Sequence, residues 1–194
     1  MYQHTEWRPE IYTAQDEIII HDCFEEIRAL DAKYKFLIVP DTGKPYNIPA
    51  VYLRKRLCEI SNSSLPLFST NVCDVVYEGY SIVYTNIQIA VHLGFKEIYL
   101  LGVDHSYSIQ RNIDGCIQKN ENVQNYFDNA YSKKTFESGA LNIPRTEETT
   151  LAFVAAKKFA EANDIKIFNA TRGGKLEVFP RIAFEDIRGL TIDN

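Results

Sequence analysis

Residues 79–103 read GYSIVYTNIQIAVHLGFKEIYLLGV and contain the clearest structural pattern in the chain. Apolar residues recur at helical spacing between Tyr80 and Leu93, which predicts a helix packed on a sheet. Gly94 stands where helix C-termini favour glycine, and Glu97–Val103 is the near-continuous apolar run of a strand buried on both faces. This helix–glycine–strand order predicts a parallel sheet, because such crossovers place their helices on the faces of one.

The flanking segments extend this pattern into one domain. The chain has 194 residues and 45% hydrophobic content, enough for a single core. We therefore predict one α/β domain over residues 1–194, with a Rossmann-like, mostly parallel sheet and helices on both faces. The further predicted elements are strands at Lys35–Pro40, Val72–Tyr77 and Ile165–Asn169, helices at Val51–Glu59 and Glu147–Asn163, and either a strand or a helix start at Ile18–Ile20.

Residues 108–145 form a long polar segment without a strong hydrophobic period. Segments of this length inside a compact domain are usually binding segments or locally disordered. We predict a lid-like or flexible insertion over residues 108–145.

Composition narrows the classes of partner. The net charge of −5 and the absence of clustered Lys and Arg argue against duplex nucleic acid, although a local pocket can still be positive. No apolar run is long enough for a membrane span. The first residues contain neither a cationic region nor an apolar stretch, so we expect no signal peptide. The four cysteines are isolated, which favours reduced thiols over a zinc site and predicts a cytoplasmic protein.

Ligands of open parallel sheets bind beyond the carboxyl ends of the strands, and three segments meet that condition. The first is Gly79-Tyr80-Ser81, where a helix begins. Its free N–H groups and positive dipole end suit a phosphate, and the Ser81 hydroxyl adds a donor. A plain helix cap is an equally good interpretation, because any helix start offers these groups.

The second segment follows the apolar strand and supplies four candidate side chains or backbone positions. Gly102 permits close approach of a ligand to the backbone. Asp104 suits ribose hydroxyls or a metal, or it caps a turn. His105 titrates near neutrality and is a candidate base or acid, or simply a solvated loop residue. Tyr107 would donate to a phosphate oxygen.

The third segment is a Gly-Gly turn that carries Arg172 and Lys175. The two cations suit an anion, but a lone turn with flanking charge is a weak signal and favours a structural role. No metal-ligand spacing, Walker loop or Gly-x-Gly-x-x-Gly motif occurs in the chain.

Residues 77–107, together with 7–16 and 167–181, resemble the 6-hydroxymethylpterin diphosphokinase MptE-like family, a distant relative of bacterial sialyltransferases that use CMP-sialic acid. The resemblance implies that Gly79–Ser81 meets a nucleotide, with Gly102 and Asp104 beside it. It also implies that Tyr107 lies near the phosphate.

Two departures from the family's pattern accompany this resemblance. The Gly-rich loop that begins such relatives is absent, so we expect a missing N-terminal βα unit. Arg145-Thr146-Glu147-Glu148 stands where the sialyltransferases carry a catalytic histidine. Glu147 is then a candidate base, or a partner of the helix dipole.

The resulting hypothesis is a nucleotide-dependent transferase, glycosyltransferase-like or sialyltransferase-like, that acts in lipopolysaccharide or other surface-glycan biosynthesis. Its donor would be a nucleotide sugar such as a CMP-sugar, with His105 as base and Tyr107 at the leaving phosphate. The alternatives are an ATP- and Mg²⁺-dependent diphosphokinase with a pterin acceptor, or an inactive nucleotide-binding or interaction remnant. A homo-oligomer is expected if apolar surface is left open.

Overall fold

The computed structural model describes residues 6–119 and 143–187. Within them the chain is a mixed α/β fold with several pairs of parallel strands. The strands are β1 Ile11–Ala14, β2 Tyr34–Ile38, β3 Val51–Leu53, β4 Lys55–Leu57, β5 Val76–Glu78, β6 Glu97–Leu100, β7 Ile109–Arg111, β8 Ile117–Lys119 and β9 Lys166–Asn169. The helices are α1 Glu17–Asp22, α2 Phe24–Ala29, α3 Ile82–His92 and α4 Thr146–Ala162, followed by a 3-10 turn at Phe184–Asp186.

The strands form small groups. β1, β2 and β3 are parallel neighbours in that order, β4 pairs parallel with β5, and β6 pairs parallel with β9. Residues 51–57 join the first two groups: Val39 N–H donates to Leu53 O at 2.9 Å, and Val76 N–H donates to Arg54 O at 2.8 Å. One extended segment therefore faces β2 with its first half and β5 with its second half.

The predicted helix α3 is confirmed, and local chemistry sets its ends. The Ser81 hydroxyl accepts a hydrogen bond from Val83 N–H at 3.2 Å and caps the N-terminus. At the other end Gly94 has φ +89°, and the N–H groups of Gly94 and Phe95 donate to Val91 O and Ala90 O. This is the Schellman arrangement that the sequence predicts at Gly94.

Two predictions around residues 18–59 have different outcomes. The apolar run at Ile18–Ile20 belongs to helix α1, because the Asp16 carboxylate accepts hydrogen bonds from Ile18 N–H (2.9 Å) and Ile19 N–H (3.4 Å). The helix predicted at Val51–Glu59 is wrong. That segment forms β3 and β4, since its backbone bonds are taken up by β2 and β5, and tertiary pairing outweighs helix propensity.

The core has three clusters, and α3 contributes to two of them. The largest cluster packs α3 and α4 against β6 and β9 through residues such as Tyr84, Phe153 and Ile167. A second lies among β1, α1, α2 and β2, and a third joins β2, β3 and β5 to α3 through Ile89. The start of α4 is thereby fixed beside the carboxyl ends of β5 and β6.

Residues 109–119 of the predicted insertion form an antiparallel hairpin of β7 and β8. Gly115 at its tip has φ +90°, and its N–H donates to Asn112 O at 2.9 Å. Residues 120–142 of the predicted lid lie outside the described residues.

Candidate functional site

The first turns of α4 are the place where the predicted segments meet. On one side the segment after β5 contacts it: the Arg145 guanidinium lies 4.7 Å from the centre of the Tyr80 ring, in cation–π geometry. Thr149 Oγ1 donates to Tyr80 O at 3.4 Å. Tyr80 has φ +56°, so these contacts hold a non-glycine residue in the left-handed region.

On the other side the segment after β6 contacts the same helix. His105 Nε2 lies 2.7 Å from Thr150 Oγ1, and the Thr150 hydroxyl donates to Thr146 O at 2.8 Å. His105 is 8% exposed, has φ +50° and packs with its ring centre 5.7 Å from that of Phe153. The histidine is therefore a buried, oriented side chain and not a solvated loop residue.

The Gly-Gly turn after β9 lies against the segment after β6. Lys175 N–H donates to Asp104 O at 2.7 Å, and Thr171 Oγ1 accepts from Val103 N–H at 3.0 Å. Gly174 has φ +73°, and a Cβ at this position would lie 2.8 Å from Asp104 O. Only glycine fits this approach without a shift, so the turn places Lys175 beside the exit of β6.

The β7–β8 hairpin covers the start of α4 from a third direction. Thr146 Oγ1 donates to Gln110 Oε1 at 3.1 Å, and Arg111 N–H donates to Pro144 O at 2.8 Å. Glu147 Oε2 accepts from Ile113 N–H at 2.7 Å. The carboxylate of Glu147 thus ties the hairpin tip to the helix.

These elements enclose a cavity of about 370 Å³, within the range of small-molecule sites. Among the described residues its lining contains two lysines and no carboxylate, and the other members carry hydroxyl, amide or imidazole groups. The lining residues are His105, Ser106, Tyr107, Gln110, Gln118, Lys119, Thr146, Thr150 and Lys175.

The electrostatics of this cavity favour an anion. Lys119 and Lys175 bring positive charge to a protein of net charge −5. Helix α4 starts at the cavity, since Thr146 and Thr150 line it, and Arg145 at the N-cap makes no side-chain cap hydrogen bond. The positive end of this 17-residue helix adds to the two ammonium groups, and the carboxylates of Glu147 and Glu148 in its first turn offset part of that charge.

Burial lowers the pKa of His105 from its usual value near 6.5, because desolvation disfavours the imidazolium. The ring is accordingly neutral at pH 7. A neutral imidazole at the wall of a cavity has the protonation state that a general base needs.

The structure brings together some of the predicted site residues. His105, Tyr107 and Lys175 line the cavity. Gly102, with φ +68°, and the exposed Asp104 lie on the same segment outside the lining. The remaining candidates take structural contacts.

Gly79 is a close-packing position: a Cβ there would lie 2.6 Å from both Ala152 Cβ and Tyr84 Cδ1. Ser81 caps α3, as the structural alternative predicted, and Tyr80 stacks on Arg145 outside the cavity. Glu147 binds the hairpin backbone. The exposed Arg172 forms an ion pair with Glu185. None of these five residues belongs to the cavity lining.

Sequence reasoning missed six lining residues. They are Ser106, Gln110, Gln118, Lys119, Thr146 and Thr150. Gln110, Gln118 and Lys119 lie on the hairpin, within the segment interpreted as a lid, whereas Thr146 and Thr150 lie on α4 and Ser106 follows β6. The Asp114-Gly115 pair between two short polar–apolar runs is the signal that would have identified the hairpin.

In residues 6–119 and 143–187 no cluster of three or more His, Cys, Asp and Glu side chains could hold a metal ion. No helix in that part of the chain is long and apolar enough to cross a membrane. Comparisons with protein-family models, with curated proteins and with solved structures found no match. The chemistry of the site is therefore inferred from its own residues.

Proposed function

We propose that this chain is a nucleotide-dependent transferase, glycosyltransferase-like in its chemistry and cytoplasmic, and that its donor binds in the cavity beside His105. The observation that carries the proposal is the cavity lining, which in the described part of the chain combines two lysines, a helix start and a buried neutral histidine and contains no carboxylate. The lysines and the helix start would stabilise a bound phosphate, and the neutral histidine would act as the base that a transfer reaction needs.

The donor phosphate is expected at the side of the cavity formed by Lys119, Lys175 and the start of α4. Ammonium groups and helix N–H groups are standard phosphate partners, and the Tyr107 and Ser106 hydroxyls add neutral donors. Donors aimed at a leaving phosphate stabilise the negative charge that develops on it during transfer.

His105 is the expected general base. The acceptor's hydroxyl oxygen forms a bond to the donor's anomeric carbon while the bond from that carbon to the phosphate oxygen breaks. The bonding electrons leave with the phosphate, and the hydroxyl proton passes to His105. A neutral imidazole accepts that proton without first losing one, which agrees with the lowered pKa of His105.

We further propose that the parallel strand groups belong to one Rossmann-like sheet with helices on both faces, as in the MptE-like family that residues 77–107 resemble. Two contacts support this arrangement. Residues 51–57 pair with both β2 and β5, and α3 bonds back to the first strand group through Thr13 Oγ1 and Asn86 Oδ1, which lie 2.7 Å apart. The cavity would then lie beyond the carboxyl ends of the strands, where ligands of such sheets bind.

Thermal shift measurements with CMP, UDP, GDP and ATP, each with and without Mg²⁺, test the proposal. A ligand at a hundred times its Kd stabilises by about 2.7 kcal/mol, which gives a readable change in Tm. We expect CMP or UDP to raise the Tm without Mg²⁺. A rise seen only with ATP and Mg²⁺ would instead favour diphosphate transfer.

Lys175→Ala supplies the mutational arm, because Lys175 lines the cavity. Lys158→Ala is the matched control: it removes the same charge from an exposed position of α4 outside the lining. The nucleotide shift should fall in Lys175→Ala and persist in Lys158→Ala. Equal shifts in both variants, or no shift with any nucleotide, would overturn the proposal.

A further inference from the structure

The contact between His105 and α4 bears on which nitrogen of the imidazole carries the proton. Thr150 Oγ1 has two neighbours: Thr146 O at 2.8 Å and His105 Nε2 at 2.7 Å. Both distances are those of good hydrogen bonds. The three groups form a short chain that runs from the helix backbone to the wall of the cavity.

A proton count along this chain gives a definite result. A hydroxyl has one proton to donate and lone pairs to accept with, whereas a backbone carbonyl only accepts. The bond to Thr146 O uses the proton of Thr150, as is usual for threonine in a helix. The contact with His105 is then a hydrogen bond only if Nε2 carries a proton and donates it to Oγ1.

We propose that Thr150 is a positioning residue that holds neutral His105 in its Nε2–H form, so that Nδ1 is the nitrogen that receives a proton from a ligand. For the ligand this inference rests on the proposed function; for the protonation state it rests on the hydrogen bonds alone. It also defines the ligand's chemistry at this corner of the cavity, which must offer an O–H or N–H donor to Nδ1.

The surroundings of the ring are consistent with this assignment. Nδ1 makes no hydrogen bond to any residue within the ranges that the structure describes, so no group there accepts a proton from it. Within residues 6–119 and 143–187, the charged and titratable groups that share the cavity wall with His105 are Lys119 from the hairpin, Lys175 from the Gly-Gly turn and Tyr107. None of these is a carboxylate, the group that most often selects the opposite tautomer by accepting from Nδ1–H.

The ring is also fixed in orientation. It is packed 5.7 Å from the Phe153 ring, and its backbone has φ +50°. The charged residues at the start of α4 have their own contacts: Glu147 accepts from Ile113 N–H, and Arg145 at the N-cap contacts Tyr80 and Oε1 of Glu148. Oε2 of Glu148 is buried and has no partner among the described residues. The threonine hydroxyl is the polar group that α4 presents to the imidazole.

Nuclear magnetic resonance of the full chain with ¹⁵N-labelled histidine tests the inference without any ligand. Above the pKa of His105, the wild type should show a protonated Nε2 and a bare Nδ1. His92 provides an internal reference, because its Nδ1 lies 3.3 Å from Thr70 O and is expected to carry the proton instead. Finding the Nδ1–H form of His105 in the wild type would overturn the proposal outright.

Two variants separate positioning from packing. Thr150→Val keeps the shape and removes the acceptor, so the ratio of the Nε2–H to the Nδ1–H form should fall about threefold to tenfold, the range that one ordinary hydrogen bond supports. Thr150→Ser restores the acceptor and should restore the wild-type ratio, with His92 unchanged in both. An unchanged ratio in Thr150→Val would contradict the positioning role.

The spectra also distinguish failure of this inference from failure of the proposed function. If no nucleotide binds but His105 is in the Nε2–H form and responds to Thr150→Val, the positioning role stands and the transferase proposal falls. If nucleotides bind but the tautomer is the opposite one, the positioning role falls and the binding site stands.

Discussion

Two buried polar side chains, Gln88 on α3 and His105 after β6, differ in how completely the protein satisfies them. Gln88 is 0% exposed, and its amide makes four hydrogen bonds. Its Oε1 accepts from Ser69 N–H and Tyr77 N–H, both at 3.0 Å, and its Nε2 donates to Tyr77 O and Tyr84 O at 2.8 and 3.2 Å. The amide has no capacity left for a ligand.

His105 is nearly as well buried, yet it has one hydrogen-bond partner among the described residues and faces a cavity. A buried polar group with every bond made holds the fold together, whereas one with an unused lone pair beside empty space is available to a ligand. The two side chains are therefore alike in burial, and they differ in the hydrogen-bond capacity that remains beside the cavity.

The largest expected loss of stability comes from removing the hydrogen bonds of Gln88. Gln88→Leu leaves the N–H groups of Ser69 and Tyr77 buried without an acceptor, at a cost of about 1–3 kcal/mol each, so we expect a loss of roughly 3–5 kcal/mol of unfolding free energy. Urea unfolding measures it through the midpoint concentration and the slope.

Gln110→Leu is the matched control for that experiment. It removes the same amide from the wall of the cavity, where Gln110 is only half-buried and bonds to the side chains of Thr146 and Gln118. We expect a loss below about 1 kcal/mol, because freed side-chain groups at a cavity can turn to water. Equal losses in the two variants would contradict the distinction between the two regions.

The next effect tests the packing between the segment after β5 and α4. In Gly79→Ala the new Cβ would lie 2.6 Å from Ala152 Cβ, and overpacking of this kind costs about 1–3 kcal/mol. Ala152→Gly on α4 opens space at that contact. A double-mutant cycle should therefore show positive coupling, with the pair less destabilised than the sum of the single variants. Strict additivity would mean that the two positions do not touch.

The elements of the fold also differ in how well the sequence predicts them. The α3–β6 unit was predictable because its apolar spacing, its Gly94 terminus and its apolar strand all indicate one structure. The Val51–Glu59 segment was not, because its strands exist only through pairing with β2 and β5, which lie far away in sequence. A local sequence pattern does not predict a strand that forms only by pairing with distant strands.

The site divides in the same way. His105, Tyr107 and Lys175 were predictable as polar residues after strand ends or in a glycine turn. Thr146 and Thr150 were not, since a threonine in an alanine-rich helix has no distinctive signal until the helix is placed against the exit of β6. Gly79 was predicted to contact a ligand, but it packs against Ala152. Its sequence could not separate the two roles, because glycine permits close approach of a ligand and of another side chain alike.

A smaller effect sharpens the functional side of the comparison through pH. Burial lowers the folded-state pKa of His105 below its unfolded value near 6.5, so the unfolded chain binds the proton more tightly. The contribution to stability is fully present above pH 6.5 and is lost as the pH falls from there toward the folded pKa. His105→Asn removes this titration and keeps a residue type that tolerates positive φ.

The measurement is the unfolding free energy of both proteins between about pH 7 and pH 5, with a slope difference of at most one proton. We expect the wild type to lose stability on acidification relative to His105→Asn. Parallel curves of unfolding free energy against pH would show that the imidazole is solvated in the folded state. They would contradict the interpretation of His105 as a buried base.

The smallest effect concerns exposed arginines around the Gly-Gly turn, where the count of bonds again predicts the outcome. Arg172 is well exposed, and its side chain bonds to Glu185 alone among the described residues; such ion pairs are weak because water screens them. Arg181 also pairs with a carboxylate, Glu177, but its guanidinium donates in addition to the carbonyl oxygens of Thr171, Gly173 and Gly174 at 3.3, 2.8 and 3.3 Å.

Arg172→Ala should leave the Tm unchanged, whereas Arg181→Ala should lower it measurably, because it frees the turn that holds Lys175 N–H on Asp104 O. Thermal unfolding of the two variants side by side decides this, and an equal response would mean that the carbonyl contacts of Arg181 add nothing to its ion pair.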